Sequence, residues 1–418
     1  MITLVSLMLT ITLSCAWFES FVAPEPTPTL TSLHEGSKIT EDSEHPGVIH
    51  RMDSDVSDLR FDQISLDEGL SQSSVFAIYQ DSVGYLWFGT QDGLNKYDGY
   101  NITIYRPSLT DEYTLSGNDI KAIYEDKYGD LWVGTNGWGL NRFDRETERF
   151  TQYHYNSQDR SSLGGDFVNV IHEDSSGTLW IGTDGGLNKY NRERDFFERY
   201  RNISGDPASL SSNNVLAILE GDNNILWIGT GGGGLNKFDT ETEKFQRFTN
   251  IPGDPFSLSN NTIWSISKDH QGVLWIGTDG GLNQFVETTG RFVHYQNSPH
   301  DPNSISSNQV RAVYAGQDGV IWVGTNGKGL NRFDPNSGMF AHIRSAPNVS
   351  NSLSDDFIWT IYEDREGTLW VGTLSGGANK LDRGLLPFHH YSANGQSLGG
   401  FSDDMVWSIF EDRHGVLW

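Results

Sequence analysis

The feature that most constrains this chain is a motif that keeps returning. Its first copy, DSVGYLWFGTQDGLNKYDGY, begins at Asp81. The motif tryptophans Trp87, Trp132, Trp180, Trp227, Trp275, Trp322, Trp370 and Trp418 stand 45, 48, 47, 48, 47, 48 and 48 residues apart. Eight of the thirteen tryptophans therefore belong to a framework rather than to a site. A fixed period of this size marks a repeat architecture, in which one supersecondary unit buries its apolar face only by packing on the next.

Each unit reads as four short strands. The first is an apolar run such as Val75-Phe76-Ala77-Ile78-Tyr79, the second Leu86-Trp87-Phe88-Gly89-Thr90 and the third Leu94-Asn95-Lys96-Tyr97. The fourth is looser, with alternations such as Phe150-Thr151-Gln152-Tyr153 and Phe292-Val293-His294-Tyr295 at the period-two spacing of a half-buried strand. Asp-x-x-Gly joins first to second strands, as at Asp126 to Gly129 and Asp174 to Gly177. There the aspartate can bond the turn backbone and the glycine can take a positive φ. Forty-six glycines and 12% aromatic residues suit many tight turns joined to many large core side chains.

Four antiparallel strands in about 45 to 48 residues make one blade of a β-propeller, a radial array that leaves only short protected edges. The strand pattern excludes a solenoid of helix pairs, and a parallel β-helix uses much shorter rungs. The fold expected is all-β, a propeller of seven four-stranded blades over residues 59–385. Arg60-Phe61-Asp62-Gln63-Ile64 resembles a fourth strand without its first three, so residues 59 to 65 are expected to complete the blade of residues 356 to 382 and close the ring. The alternative is that Phe388 to Tyr391 completes that blade. Every earlier motif tryptophan is followed by a β-branched or aromatic residue and then Gly-Thr, whereas Trp418 is the last residue. Residues 386–418 are accordingly expected to be the truncated start of a further repeat or second propeller.

The LW[FVI]GT and GLN[KR][FY]D units, seven full copies and a partial eighth over residues 60 to 418, resemble two-component regulator propeller repeats. The resemblance implies one or two seven-bladed propellers outside the membrane, followed by a small β-domain, a transmembrane helix and a cytoplasmic histidine kinase. It implies a sensor, often of oligosaccharides or other breakdown products. A weaker likeness, of Asp-x-x-Gly-x-x-Trp to the Asp-box of sialidases, concerns a structural turn. No arginine cluster with a tyrosine nucleophile accompanies it.

The rest of the chain bounds the setting. Met1 to Phe18 is apolar but short for a membrane span, which favours a signal peptide, with Ser14 and Ala16 placed for cleavage after Ala16. The basic n-region is missing, so an N-terminal membrane segment or a lipid-modified Cys15 stays open. Residues 19–58, with the stretch PEPTPTLTS, read as a disordered Pro/Ser/Thr-rich linker. Together with the resemblance, these features imply a propeller outside the cytoplasm, in the periplasm, with its parent protein anchored in the inner membrane. The single cysteine excludes a disulfide framework and a cysteine zinc site. A net charge of −26 makes nucleic acid an unfavourable partner.

Comparing the copies with one another separates framework from candidates for recognition. Val75, Ile120, Val168, Val215, Ile263, Val310, Ile358 and Val406 form an invariant aliphatic column expected to pack between blades. The next column varies: Phe76, Lys121, Asn169, Leu216, Trp264, Arg311, Trp359 and Trp407. If the first strand is innermost, this column faces the mouth of the central channel. Lys121, Asn169, Trp264, Arg311 and Trp359 are then the ligand candidates, by hydrogen bonding and ring stacking. The competing reading is that they fill inter-blade gaps of unequal size, with the charged heads snorkelling. Trp138 and Lys328, which replace glycine in the loops between second and third strands, are further candidates as a sugar-stacking platform or as a lid on the neighbouring blade. Asn95, Asn141, Asn188, Asn236, Asn283, Asn331 and Asn379 recur in every complete copy and are expected to make one backbone bond per blade. No catalytic residue, metal ligand or cofactor is expected, and His389-His390 lacks metal-site spacing. The function expected is extracytoplasmic sensing of a small molecule or oligosaccharide, with signalling domains downstream in the same chain and a possible homodimer. The alternatives are an exported binding scaffold and a polysaccharide-active lyase or glycosidase, although the variable column holds no carboxylate.

Overall fold

In the computed structural model the described residues are 56, 59–346, 348, 349 and 351–381. The expectations for residues 1–18, for most of 19–58 and for 386–418, including Trp407 and His389-His390, lie outside them. Among the described residues there are seven four-stranded antiparallel sheets. Blade 1 consists of Val75–Gln80, Leu86–Thr90, Gly93–Tyr97 and Ile102–Tyr105. Blades 2 to 6 repeat this order over residues 120–153, 168–200, 215–248, 263–295 and 310–343.

Blade 7 draws on both parts of the chain. Ile358–Glu363, Leu369–Thr373 and Ala378–Leu381 are joined at their edge by Asp62–Ile64, with Asp62 opposite Lys380 and Ile64 opposite Ala378. Gln63 Nε2 also donates to the Gly376 carbonyl at 2.7 Å. The strand that precedes the first repeat thus closes the ring, as its sequence implies. Without it the Ala378–Leu381 edge would be unpaired, the condition that invites association with another chain.

The hairpin between first and second strands is built by the aspartate. Asp126 Oδ1 accepts the backbone N–H of Tyr128 and Asp130, at 2.9 and 3.1 Å, and Gly129 takes a φ of 85°. The other oxygen, Oδ2, accepts the Trp132 indole N–H at 2.7 Å. The recurrent asparagine does comparable work at the other end. Asn141, fully buried, accepts the Ser116 N–H at 2.8 Å and donates to the Val133 carbonyl at 3.2 Å. The same pair of bonds recurs at all seven asparagines.

The core lies between blades. Trp132 of blade 2 is buried among Val168, Leu179 and Ile181 of blade 3, and Trp370 of blade 7 packs with Val75 and Phe88 of blade 1. The aliphatic column is what makes the motif glycine necessary: a Cβ on Gly134 would lie 2.5 Å from Val168 Cγ1. Burying one such indole is worth several kcal/mol, since truncating a buried aromatic to alanine typically costs about 3–5 kcal/mol.

A candidate ligand site where the first strands meet

Every first strand pairs with its second strand through the same irregularity. The register skips one residue between Val75 and Ala77, and likewise between Ile120 and Ala122, Val168 and Val170, Val215 and Ala217, Ile263 and Ser265, Val310 and Ala312, and Ile358 and Thr360. The skipped residue is in each case the variable one: Phe76, Lys121, Asn169, Leu216, Trp264, Arg311 and Trp359. A β-bulge leaves its extra residue unpaired and re-aims the side chain. The variable column is therefore seven bulge residues, all half-buried.

Five of them converge. Phe76 meets Trp359 edge to face at 5.3 Å between ring centroids. Lys121 Nζ sits 3.2 Å from the Phe76 centroid and 5.7 Å from that of Trp359, reaching across blade 1 to blade 7. From the other side, the Arg311 guanidinium lies 3.7 Å from the Trp264 ring and 5.9 Å from Trp359. Trp359 is the shared centre. Cation–π contacts of this kind are worth about 0.5–2 kcal/mol each, rising with desolvation.

Two carboxylates orient the cations, and neither lies in the variable column. Asp119 is 3.3 Å from Lys121 Nζ. Asp279 Oδ1 accepts the Trp264 indole N–H at 2.9 Å and lies 3.8 Å from Arg311. Burial pushes the Lys121 ammonium below its ordinary value, against the opposing pull of Asp119, and does the same to Arg311 against Asp279. Arg311 is 15% exposed, and among the described residues its Nε and Nη1 have no hydrogen-bond partner. Buried, unpaired guanidinium N–H groups are costly to leave so.

Asn169 stands apart from this cluster. Its amide donates to the Val215 carbonyl at 2.9 Å and to Asn214 Oδ1 at 3.3 Å, tying blade 3 to blade 4. Trp138 is exposed and covers Gly117, in the lead-in to its own blade rather than on a neighbour, and Lys328 is exposed at the matching position of blade 6. Among the described residues neither joins the contacts around Trp359.

A second band, at the far end of the same strands, escaped sequence reasoning. Tyr79 packs against Tyr124 and Tyr362, at 5.7 and 6.2 Å, and Tyr124 against His172 at 6.2 Å. Burial raises the three tyrosine hydroxyls and lowers His172, whose Nε2 is buried without a partner among the described residues. A column of Tyr, Tyr, His, Leu, Ser, Tyr and Tyr four residues after the aliphatic one was its sequence signal. Among the described residues no group of three or more His, Cys, Asp or Glu is disposed to hold a metal ion.

Fold and site together define a closed seven-bladed propeller with a bulge-borne aromatic and cationic cluster where its innermost strands meet. Residues 69–92, 114–137, 162–185, 209–232, 257–280, 304–327 and 352–375 each match the two-component regulator propeller repeat, and the chain belongs to that family. It is similar to the extracellular domain of the hybrid two-component system BT3049 from B. thetaiotaomicron, at 29% identity and a TM-score of 0.69 over 86% of this chain and 46% of that one. The extracellular domain of the one-component system BT4673 from the same organism shares the fold, at 23% identity and a TM-score of 0.61 over 86% and 51% of the two chains. A stretch of 49 residues is 55% identical to histidine kinase P4 of Formosa agariphila, covering 12% of this chain and 4% of the kinase. The chain thus spans under half of the first solved relative and a small part of the kinase.

Proposed function

We propose that this propeller is the extracytoplasmic ligand-sensing part of a bacterial transmembrane two-component signalling protein, and that an oligosaccharide seats on the cluster around Trp359. The sensing role is supported by the family and by the likeness to an extracellular domain of a hybrid two-component system. The site is supported by one observation above others: Arg311 holds two buried donor nitrogens without acceptors among the described residues while stacked on Trp264. Indole faces offer stacking surface to a sugar ring, and the unsatisfied donors offer bonds to its hydroxyl oxygens once the ring edges part. Binding that favours one packing of the blades, or one dimer, would bias signalling domains further along the same chain by its differential affinity for the two states.

The test is a thermal-shift screen of oligosaccharides on the 418-residue chain. A ligand at a hundred times its Kd should stabilise the folded state by about 2.7 kcal/mol. Trp264→Ala and Arg311→Ala should each remove that stabilisation. Binding that persists unchanged in both variants overturns the site.

A further inference from the structure

At the opposite end of the blades two copies of the repeat lack the turn aspartate, and beside one of them lies a cavity. In five blades the turn aspartate accepts the motif indole N–H: Asp81 from Trp87, Asp126 from Trp132, Asp174 from Trp180, Asp269 from Trp275 and Asp364 from Trp370, at 2.7 to 2.9 Å. In the first two of these the next blade adds an arginine to the same carboxylate, Arg145 to Asp81 and Arg192 to Asp126. Blades 4 and 6 have Gly221 and Gly316 where the aspartate stands. Blade 5 has Glu287 where blades 2 and 3 supply the arginine. Both members of the ion pair are thus replaced, one by nothing and the other by the opposite charge.

The hairpin itself survives by another route. Asn223 and Asn224 take φ values of 56° and 62°, the pair of positive values that a two-residue type I′ turn needs. The turn no longer requires a carboxylate, and the Trp227 indole lacks the aspartate that its five counterparts bond. Trp227 lines a cavity of about 300 Å³ together with Gly221, Lys237, Lys268, Asp222 and Glu287. Lys237 Nζ is 2.9 Å from Glu287 and 5.3 Å from the Trp227 ring centroid, and Lys268 Nζ is 3.3 Å from Asp222. The two acids are 67% and 82% exposed, the two lysines 28% and 32%. The acids are therefore the more screened partners, and such exposed pairs are readily exchanged.

We propose that this cavity between blades 4 and 5 binds a small organic carboxylate, which takes the place of the missing turn aspartate. One carboxylate oxygen accepts the Trp227 indole N–H, and the other faces Lys237 and Lys268. The cavity volume is at the lower end of the range that small-molecule sites occupy. This site is separate from the cluster around Trp359 and does not depend on the sensing role.

The experiment follows the indole N–H resonance of Trp227, assigned with Trp227→Phe, in ¹⁵N-labelled 418-residue chain during titration with sodium acetate, acetamide and sodium chloride. Acetate should move that resonance saturably, whereas acetamide and chloride leave it in place. Gly221→Asp should shift it in the free protein toward its acetate-bound position and abolish the response. A Cβ at Gly221 lies 2.8 Å from Trp227 Nε1, so a surface variant supplies an independent reading. Lys268→Gln should weaken acetate roughly three- to five-fold without disturbing the other indole resonances. No saturable response to acetate overturns the proposal, as does an equal response to acetamide or chloride, or undiminished affinity in Lys268→Gln.

Discussion

The two ends of the first strand, a few residues apart, follow opposite rules. At the turn end, five blades use the same aspartate in the same bond to the same indole, and the side chains are dictated by the backbone they hold. At the bulge end the backbone is again the same in all seven blades, but the side chains are phenylalanine, lysine, asparagine, leucine, tryptophan, arginine and tryptophan. A bulge residue makes no ladder bond, so the fold sets where it points and leaves its chemistry free. The difference teaches that in this propeller the repeated geometry is a platform, and that recognition belongs to residues the ladder does not use.

That division can be broken by stability measurements. The largest effect belongs to the framework: Trp132→Ala, at a fully buried position among residues of two blades, should cost about 3–5 kcal/mol by urea denaturation. A midpoint equal to that of the unmodified chain would refute its framework role. An intermediate effect should appear in acid. Burial alone would raise Asp81, but the Trp87 indole and Arg145 outweigh it and hold its carboxyl below the ordinary aspartate value, and Asp174 is likewise held low, against burial, by Ser176 and Trp180. A carboxyl with a lowered folded-state value contributes stability that is complete above its unfolded value and is lost as pH falls through the folded one. Unfolding free energy should accordingly fall below about pH 4. Asp81→Asn should flatten that fall, and identical profiles would show that the turn carboxylate is not involved. The smallest effect belongs to the bulge column. Arg311→Met removes two unsatisfied donors and keeps an apolar side chain beside Trp264, so it should change stability by less than about 1 kcal/mol. A loss as large as that of Trp132→Ala would place Arg311 in the framework and end its candidacy as a ligand residue.

Much of this is legible in the amino-acid sequence. The tryptophan period, the Asp-x-x-Gly turns, the asparagine in every copy and the unaccompanied strand at residues 60–64 all report bonds between residues close in sequence or between neighbouring copies of one motif. The variable column was legible as a column, but not as a row of bulges, because an extra residue in a ladder shows only when both strands are paired. Asp119 and Asp279 lie outside that column, so counting its carboxylates missed the two that orient Lys121 and Trp264. Gly221 and Glu287 look unremarkable singly; they become a cavity only because blades 4 and 5 set them on the same space.

Sequence alone determined the repeat, the strand order within each blade and the way the ring closes, because each depends on short-range periodicity and turn chemistry copied seven times. Tertiary structure alone decided which side chains meet. Phe76 and Lys121 reach Trp359 only because closure brings the last blade beside the first. Such a contact leaves no periodic trace in a linear chain.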